Sequence, residues 1–371
     1  MKNIYRFPFT PSELGTLGVE MEWFLIHAED CEQAPLAEEL IRRCGHPKHV
    51  KPELFTSIVE LNTDIHQDTT ACLMELSNWV RLTRQHLAHL NAQLLGMGTH
   101  PYSHWRNQEV GADPRYYRLV HRLQWMARRF NICGIHVHVG MPDGDGCIRT
   151  MNSLLPIMPA FLALSANSPY WHGDDTGLAS TRIKIFEGLS QGGMPFYFQN
   201  WQDFEHCASR LMASGSIDSV RDIWWEMRPH PDFGTLEIRI GDMPVSREDT
   251  AAYIAYVRAE ALAAFWGHGA PRVHPSLIRE NRWRACRYGV HMEWIDPFTE
   301  EKVWFLDWLE RRLDELARHA IPETELMHVK HMLPTWRQSG SGAHRQRHAF
   351  LATDGMPEMI AYMIKQDGWP Q

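Results

Sequence analysis

Two periodicities run through this chain. Short segments at 16–27, 57–63, 94–99, 132–140, 223–228 and 235–241 are rich in β-branched or aromatic residues, or are bounded by Gly, Pro and Asp, which predicts β-strands. Longer segments at 69–93, 113–130, 146–166, 199–213, 246–266, 276–287, 300–319, 323–333 and 343–365 carry helical patterns, so the C-terminal third is almost wholly helical. Pro229, Pro231 and Gly234 separate the last two strand segments and favour a turn, so those strands form an antiparallel hairpin. Hairpins mixed with helical returns, without regular βαβ alternation, predict an α+β fold of about six strands with helices packed on one face.

Side chains alternate faces along a strand, so parity sorts these residues. In the first strand Val19, Met21, Trp23 and Leu25 oppose Glu20 and Glu22; in the second Val59 and Leu61 oppose Glu60, Asn62 and Asp64. Ile135, Val137 and Val139 oppose His136 and His138, and Leu236, Ile238 and Ile240 oppose Glu237 and Arg239. Trp225 and Met227 likewise separate from Glu226, Arg228 and Trp224. A solvated outer face is the ordinary meaning of one such strand. Here, however, the polar sides of separate strands are loaded with Glu, Asp and His and hold no Lys.

If these strands are neighbours, carboxylates and imidazoles converge on one surface. They repel one another and raise their own pKa values unless cations sit among them, so bound divalent metal is the economical reading. A carboxylate-rich set suits Mg2+ or Mn2+, and an imidazole among the ligands leaves Zn2+ open. Removing one carboxylate from a repelling cluster, as in Glu60→Gln or Glu237→Gln, is expected to abolish turnover and leave the fold intact. Arg239 suits a phosphoryl contact through its planar fork, or equally an ion pair with Glu237 or Glu226.

Composition narrows the rest. The 371 residues contain 37 Lys and Arg against 45 Asp and Glu, a formal charge of -8, which disfavours binding nucleic acid by phosphate neutralisation. No repeat or long Gly/Ser/Pro linker divides the chain, so residues 1–371 are read as a single domain. The seven cysteines are odd in number and include no CxxC pair, which points to a reducing compartment. Residues 1–15 lack an apolar core of signal-peptide length, and the apolar run Leu154–Leu164 is too short to span a bilayer. A soluble cytoplasmic protein, bound neither to membrane nor to nucleic acid, is expected, with a homodimer as the statistical default.

A series of motifs, in order along the chain, resembles the type 2 glutamate–cysteine ligases, or carboxylate–amine ligases. They are Thr16–Glu22 (T-L-G-V-E-M-E), Glu60–Thr63, Gly98–Pro101, Asp113–Tyr116, Gly134–Gly140 (G-I-H-V-H-V-G), Ala163–Pro169, Gly173–Arg182, Arg228–Pro231 leading into Gly234–Arg239, and Asn281–Gly289. The resemblance implies a fold similar to the catalytic half of glutamine synthetase, a curved six-stranded antiparallel sheet whose concave face holds the metals. It implies Glu20, Glu22, Glu60, His136 and Glu237 as metal ligands, with Glu53 as a further acid. Arg239 would contact the phosphoryl group or substrate carboxylate, and His138 would serve substrate or an outer role before a ligand one. The implied reaction uses ATP to phosphorylate a carboxylate, glutamate by family, after which an amine, cysteine by family, attacks the acyl phosphate.

Several features carry two readings. The loop Gly173–Gly177 offers backbone N–H groups to phosphate, or is a turn with Ser180 or Thr181 capping a helix. Arg182 ends that motif and is a candidate for the nucleotide, as are Arg284 and Arg287, although an arginine run on a helix is usually a solvated face. Gly96 and Gly98 leave room for substrate or mark close backbone approach. Two rivals to the ligase remain: a Zn2+ or Mn2+ hydrolase using the H-x-H pair, and a weakly catalytic homologue that binds ATP and amino acids.

Overall fold

The computed structural model describes residues 5–371; the first four residues of the segment 1–15, where no export signal is expected, lie outside that range. A seven-stranded open sheet is built from β1 (Leu17–His27), β2 (Val50–Pro52), β3 (Ile58–Asn62), β4 (Ala92–Leu95), β5 (Gly134–Gly140), β6 (Met227–His230) and β7 (Thr235–Asp242). The order is β6-β7-β5-β1-β3-β2, with β4 beside the far end of β1, and every pair is antiparallel. The strand beyond the six expected is β2, three residues long and ending at Pro52, which an edge position tolerates.

The apolar parity set forms one face. Val19, Met21, Trp23, Val59, Leu61, Ile135, Val137, Val139, Leu236 and Ile238 are all buried in a single core. Helices α1 (Gly144–Leu154), α2 (Met158–Ser165) and α3 (Arg247–Phe265) pack there. Ser246 caps α3 through its Oγ, which accepts the Asp249 N–H. The helix is buried nearly all round, and its two internal charges are neutralised at once: Arg258 by Glu325 at 2.8 Å and Glu260 by Arg312 at 2.9 Å. No single helix among the described residues is long and apolar enough to cross a membrane.

The element boundaries depart from expectation where local chemistry intervenes. The 113–130 helix breaks at Gln124, which takes φ 50°, and the 343–365 helix divides into Gly342–Leu351 and Met356–Lys365 around Gly355. A small hairpin, Glu293–Ile295 with Lys302–Trp304, replaces the start of the helix expected over 300–319, which begins at Phe305. The expected hairpin forms, but its first strand is Met227–His230 and not 223–228: Pro229 lies within the strand, and Trp224–Trp225 pairs in parallel with Gly192–Gly193 instead. The β6–β7 turn requires Gly234, at φ 62°, because a β-carbon there would lie 1.8 Å from the Thr10 carbonyl oxygen.

Candidate active site

The register of the sheet assembles the polar parity set. Glu20 stands opposite Asn62 on one side and His136 on the other, Glu22 opposite Glu60, and Glu237 opposite His138. Donor atoms of Glu20, Glu60 and His136 lie within 4.8 Å of one another, as do those of Glu20, His138 and Glu237, and those of Glu22, Glu53 and Glu60. Three overlapping nests thus share Glu20 and Glu60. Glu53 enters from the loop after β2, and β2 also sends Lys51 to the rim, 3.8 Å from Glu60.

The two imidazoles are held differently. His136 Nδ1 sits 3.1 Å from Glu20 Oε2. His138 Nδ1 is engaged by Thr235 Oγ1 at 2.9 Å, which leaves its buried Nε2 with no hydrogen-bond partner, 3.7 Å from Glu20 and 3.9 Å from Glu237. An orphaned nitrogen facing two carboxylates suits a cation between them. The donor set, five carboxylates with one or two imidazoles, fits hard divalent ions such as Mg2+ or Mn2+.

The electrostatics follow from this crowding. Burial, reinforced by Glu20, Glu53 and Glu22, drives the Glu60 carboxyl well above its ordinary range. Burial and the neighbouring Glu22 push Glu53 up to about 7. Burial also opposes ionisation of Glu20, but the hydrogen-bonded His136 and the nearby His138 imidazole outweigh it and hold that carboxyl well below the usual value. Glu237 is likewise held low against its burial by Arg228 and Arg239. Arg228 places Nε and Nη2 3.0 and 2.6 Å from Glu237 Oε2, and its Nη1 donates to the carbonyls of Arg221 and Ile223. Arg239 takes the other Glu237 oxygen.

Beside the nests lies a cleft of about 130 Å3 whose polar wall is Glu22, Glu53, His136, Arg182 and Arg239. Leu119, Phe130, Phe186 and Trp224 are among the apolar residues that face them. Arg182 is fully buried, donates to the Ile240 and Arg239 carbonyls, and leaves Nε unpartnered. It lies flat against Gly134, where a β-carbon would stand 2.1 Å from Nη2.

Other expected residues go elsewhere. Arg284 turns to Glu280 and the Glu293 carbonyl, and Arg287 to the Gly177 carbonyl, so neither guanidinium lines the cleft. Glu226 falls in the break between Trp224–Trp225 and β6, and pairs with Arg282 at 2.9 Å instead of joining the polar face. Asp64 leaves the sheet for Lys48. Gly96 and Gly98 make room for protein, not ligand: their β-carbons would meet Trp23 at 3.0 Å and Asp242 at 2.8 Å. The Gly173 loop is a small hairpin tied down by Arg347 on Asp175 at 2.8 Å, and Ser180 Oγ donates to Asp242. Asp242, which parity did not single out, also accepts from the Asn167 N–H and Ser168 Oγ and lies 4.0 Å from Arg182. The motifs Ala163–Pro169 and Gly173–Arg182 therefore converge on one buried carboxylate behind the cleft. Arg228, which parity placed on the polar side without a role, falls opposite Glu237 once the hairpin folds.

Residues 16–357 match the family described as glutamate-cysteine ligase family 2. The chain belongs to glutamate–cysteine ligase family 2. It is accordingly a ligase, of the carboxylate–amine class, acting on small molecules. A relative from Gloeobacter violaceus, named "Putative glutamate--cysteine ligase 2", is 40% identical over 364 residues, covering 95% of this chain and 97% of its own. Among solved structures, the glutamate–cysteine ligase of Francisella tularensis, determined in complex with AMP, superposes with a TM-score of 0.68 at 12% identity, covering 96% of this chain and 89% of that one. A bifunctional glutathione synthetase from Pasteurella multocida gives 0.70 at 17% identity, with 95% and 52% covered. These two share the fold of the family 2 chain, and the antiparallel sheet with helices on its apolar side is the expected architecture with one strand more.

Proposed function

We propose that this protein is an ATP-dependent carboxylate–amine ligase that forms an amide through an acyl phosphate, with glutamate and cysteine as its substrate pair. The observation that carries the reading is the three overlapping carboxylate nests opening beside a cleft walled by Arg182 and Arg239. The family and the name of its 40% identical relative support the substrate pair.

Glu20, Glu22, Glu53, Glu60 and Glu237 would hold Mg2+ or Mn2+, which when bound neutralise phosphate charge during transfer. Both imidazoles are held through Nδ1, His136 by Glu20 and His138 by Thr235, so each presents Nε2 to an ion, and His138 joins the ligand role that the family motif implies for His136. Arg239 orients a phosphoryl or carboxylate oxygen with the part of its fork that Glu237 does not occupy. Arg228 fixes Glu237 and so aims it across the sheet at Glu20. The apolar side of the cleft excludes water, which protects an acyl phosphate from hydrolysis.

A screen of amino acids and amines for release of ADP and phosphate tests the proposal. Release that requires both an acid and an amine is expected. Turnover without nucleotide would instead establish a metal hydrolase, and tight ATP binding with no productive amine a binding homologue.

A further inference from the structure

We infer that His49, Asp64 and Glu75 form a second divalent-metal site, of the zinc type, that shares no residue with the nests of the sheet. Donor atoms of these three residues lie within 4.8 Å of one another. They come from three places in the chain: the approach to β2, the segment leaving β3, and the helix Thr69–Ala88.

The decisive group is His49. Its side chain is about nine-tenths buried and stacked on Trp79, with ring centroids 4.8 Å apart. Nδ1 lies 3.1 Å from the Asn62 carbonyl oxygen, an acceptor, so Nδ1 carries the proton of the neutral ring and Nε2 presents a lone pair. That Nε2 has no hydrogen-bond partner and faces Asp64 Oδ2 at 3.7 Å, while the Nδ1 side of the ring is the side nearer Glu75 Oε1, also at 3.7 Å. The separation is too long for a hydrogen bond. It is close to the roughly 3.3 Å between two ligands of a tetrahedral ion with bonds of about 2.0–2.1 Å. A metal-bound histidine whose other nitrogen donates to a backbone carbonyl is the usual supporting arrangement.

The carboxylates are similarly braced. Glu75 Oε2 accepts the Asp64 N–H at 2.9 Å and meets His66 Nε2 at 2.5 Å, while Oε1 accepts the Trp79 indole N–H at 3.1 Å. Lys48, on a largely exposed side chain, holds Asp64 Oδ1 at 2.6 Å and can swing away when an ion arrives. One imidazole with two carboxylates suits Zn2+ better than Mg2+, which prefers an all-oxygen octahedron. His49 also accepts the Asn62 N–H through its carbonyl, so an ion here would fix the end of the strand that carries Glu60.

The test uses the full chain, stripped with chelator and then saturated with Mg2+ so that the oxygen-rich nests are filled. Titration with Zn2+ by calorimetry, and with Co2+ by visible absorption, should reveal one equivalent beyond those that displace Mg2+ from the imidazole-bearing nests. Its affinity should fall at least about tenfold in His49→Ala and Asp64→Asn and stay unchanged in Glu22→Gln and Glu60→Gln. Absence of that equivalent, or an equivalent insensitive to Asp64→Asn, would overturn the site. Asp64 is exposed, so its variant keeps the test decisive should His49→Ala fail to fold.

Discussion

The carboxylate of Glu237 is clasped by Arg228, whose Nη2 stands 2.6 Å from Oε2 and whose other amino group is anchored on backbone carbonyls. The arginine is therefore part of what makes Glu237 available as an anion in a buried place. Replacing Arg228 with Met should cost about 3–5 kcal/mol, because it leaves a buried charge with one partner fewer. Urea unfolding measures the loss. Adding Glu237→Gln to that variant should restore part of the stability, and strictly additive losses would show that the pair does not act as a unit.

The same clasp alters what removing each acid should do. Glu60→Gln takes a charge out of a repelling group, so it should abolish turnover and leave the metal-free protein at least as stable. Glu237→Gln should abolish turnover and also destabilise, since Arg228 and Arg239 lose their shared counter-ion. Parity alone led to the expectation that both variants keep the fold; the ion pairs distinguish them. Thermal unfolding of the two purified variants, free of metal, decides the matter.

Through Glu53, acidity should favour the folded metal-free enzyme, against the opposite pull of buried histidines such as His100 and His230. The Glu53 carboxyl has a folded-state value of about 7, above its ordinary 4.5, so between those values the folded chain binds more protons than the unfolded one. The contribution from Glu53 is then complete below about 4.5 and is lost as pH rises through about 7. Melting temperature of the wild type relative to Glu53→Gln should decline as pH rises from 5 to 8. Saturating Mg2+ should flatten the difference, and equal slopes without metal would contradict the crowding described above.

Thr235 holds His138 by its Nδ1, which keeps Nε2 pointed between Glu20 and Glu237. Thr235→Val preserves shape and removes that hold. Mn2+ affinity, read by electron paramagnetic resonance, should weaken by about 10–100-fold with the circular dichroism spectrum unchanged. Unaltered Mn2+ binding would assign the ligand role to His136 alone.

Much of this site was legible because strands expose their chemistry by simple alternation. Glu20, Glu22, Glu60, His136, His138 and Glu237 needed only parity and the assumption of adjacency, and the sheet supplies the adjacency. What escaped depended on irregular backbone. A break in the strand turned Glu226 to Arg282, and the three-residue β2 brought Lys51 to a face that seemed free of lysine. Gly134 and Gly140 read as punctuation of the H-x-H motif, yet each is a contact: Arg182 covers the first, and the Glu13 carbonyl and Thr16 hydroxyl lie 2.2 Å from a β-carbon on the second. The arginines at 284 and 287 show the opposite failure, since a helix surface carries no alternation that tells inward from outward without its packing partner.

The pairing of Glu20 with His136 spans 116 positions, and Glu237 comes later still. A nascent chain emerging at about 5–20 residues per second has the residues of the Glu22–Glu53–Glu60 nest early, those of Glu20–Glu60–His136 only after β5, and those of Glu20–His138–Glu237 only after β7. Loops of that length close slowly, so ions in the two nests that include β5 enter a sheet already paired. The rate at which β5 and β7 pair in refolding should therefore be indifferent to magnesium, while the rate of unfolding should slow in its presence.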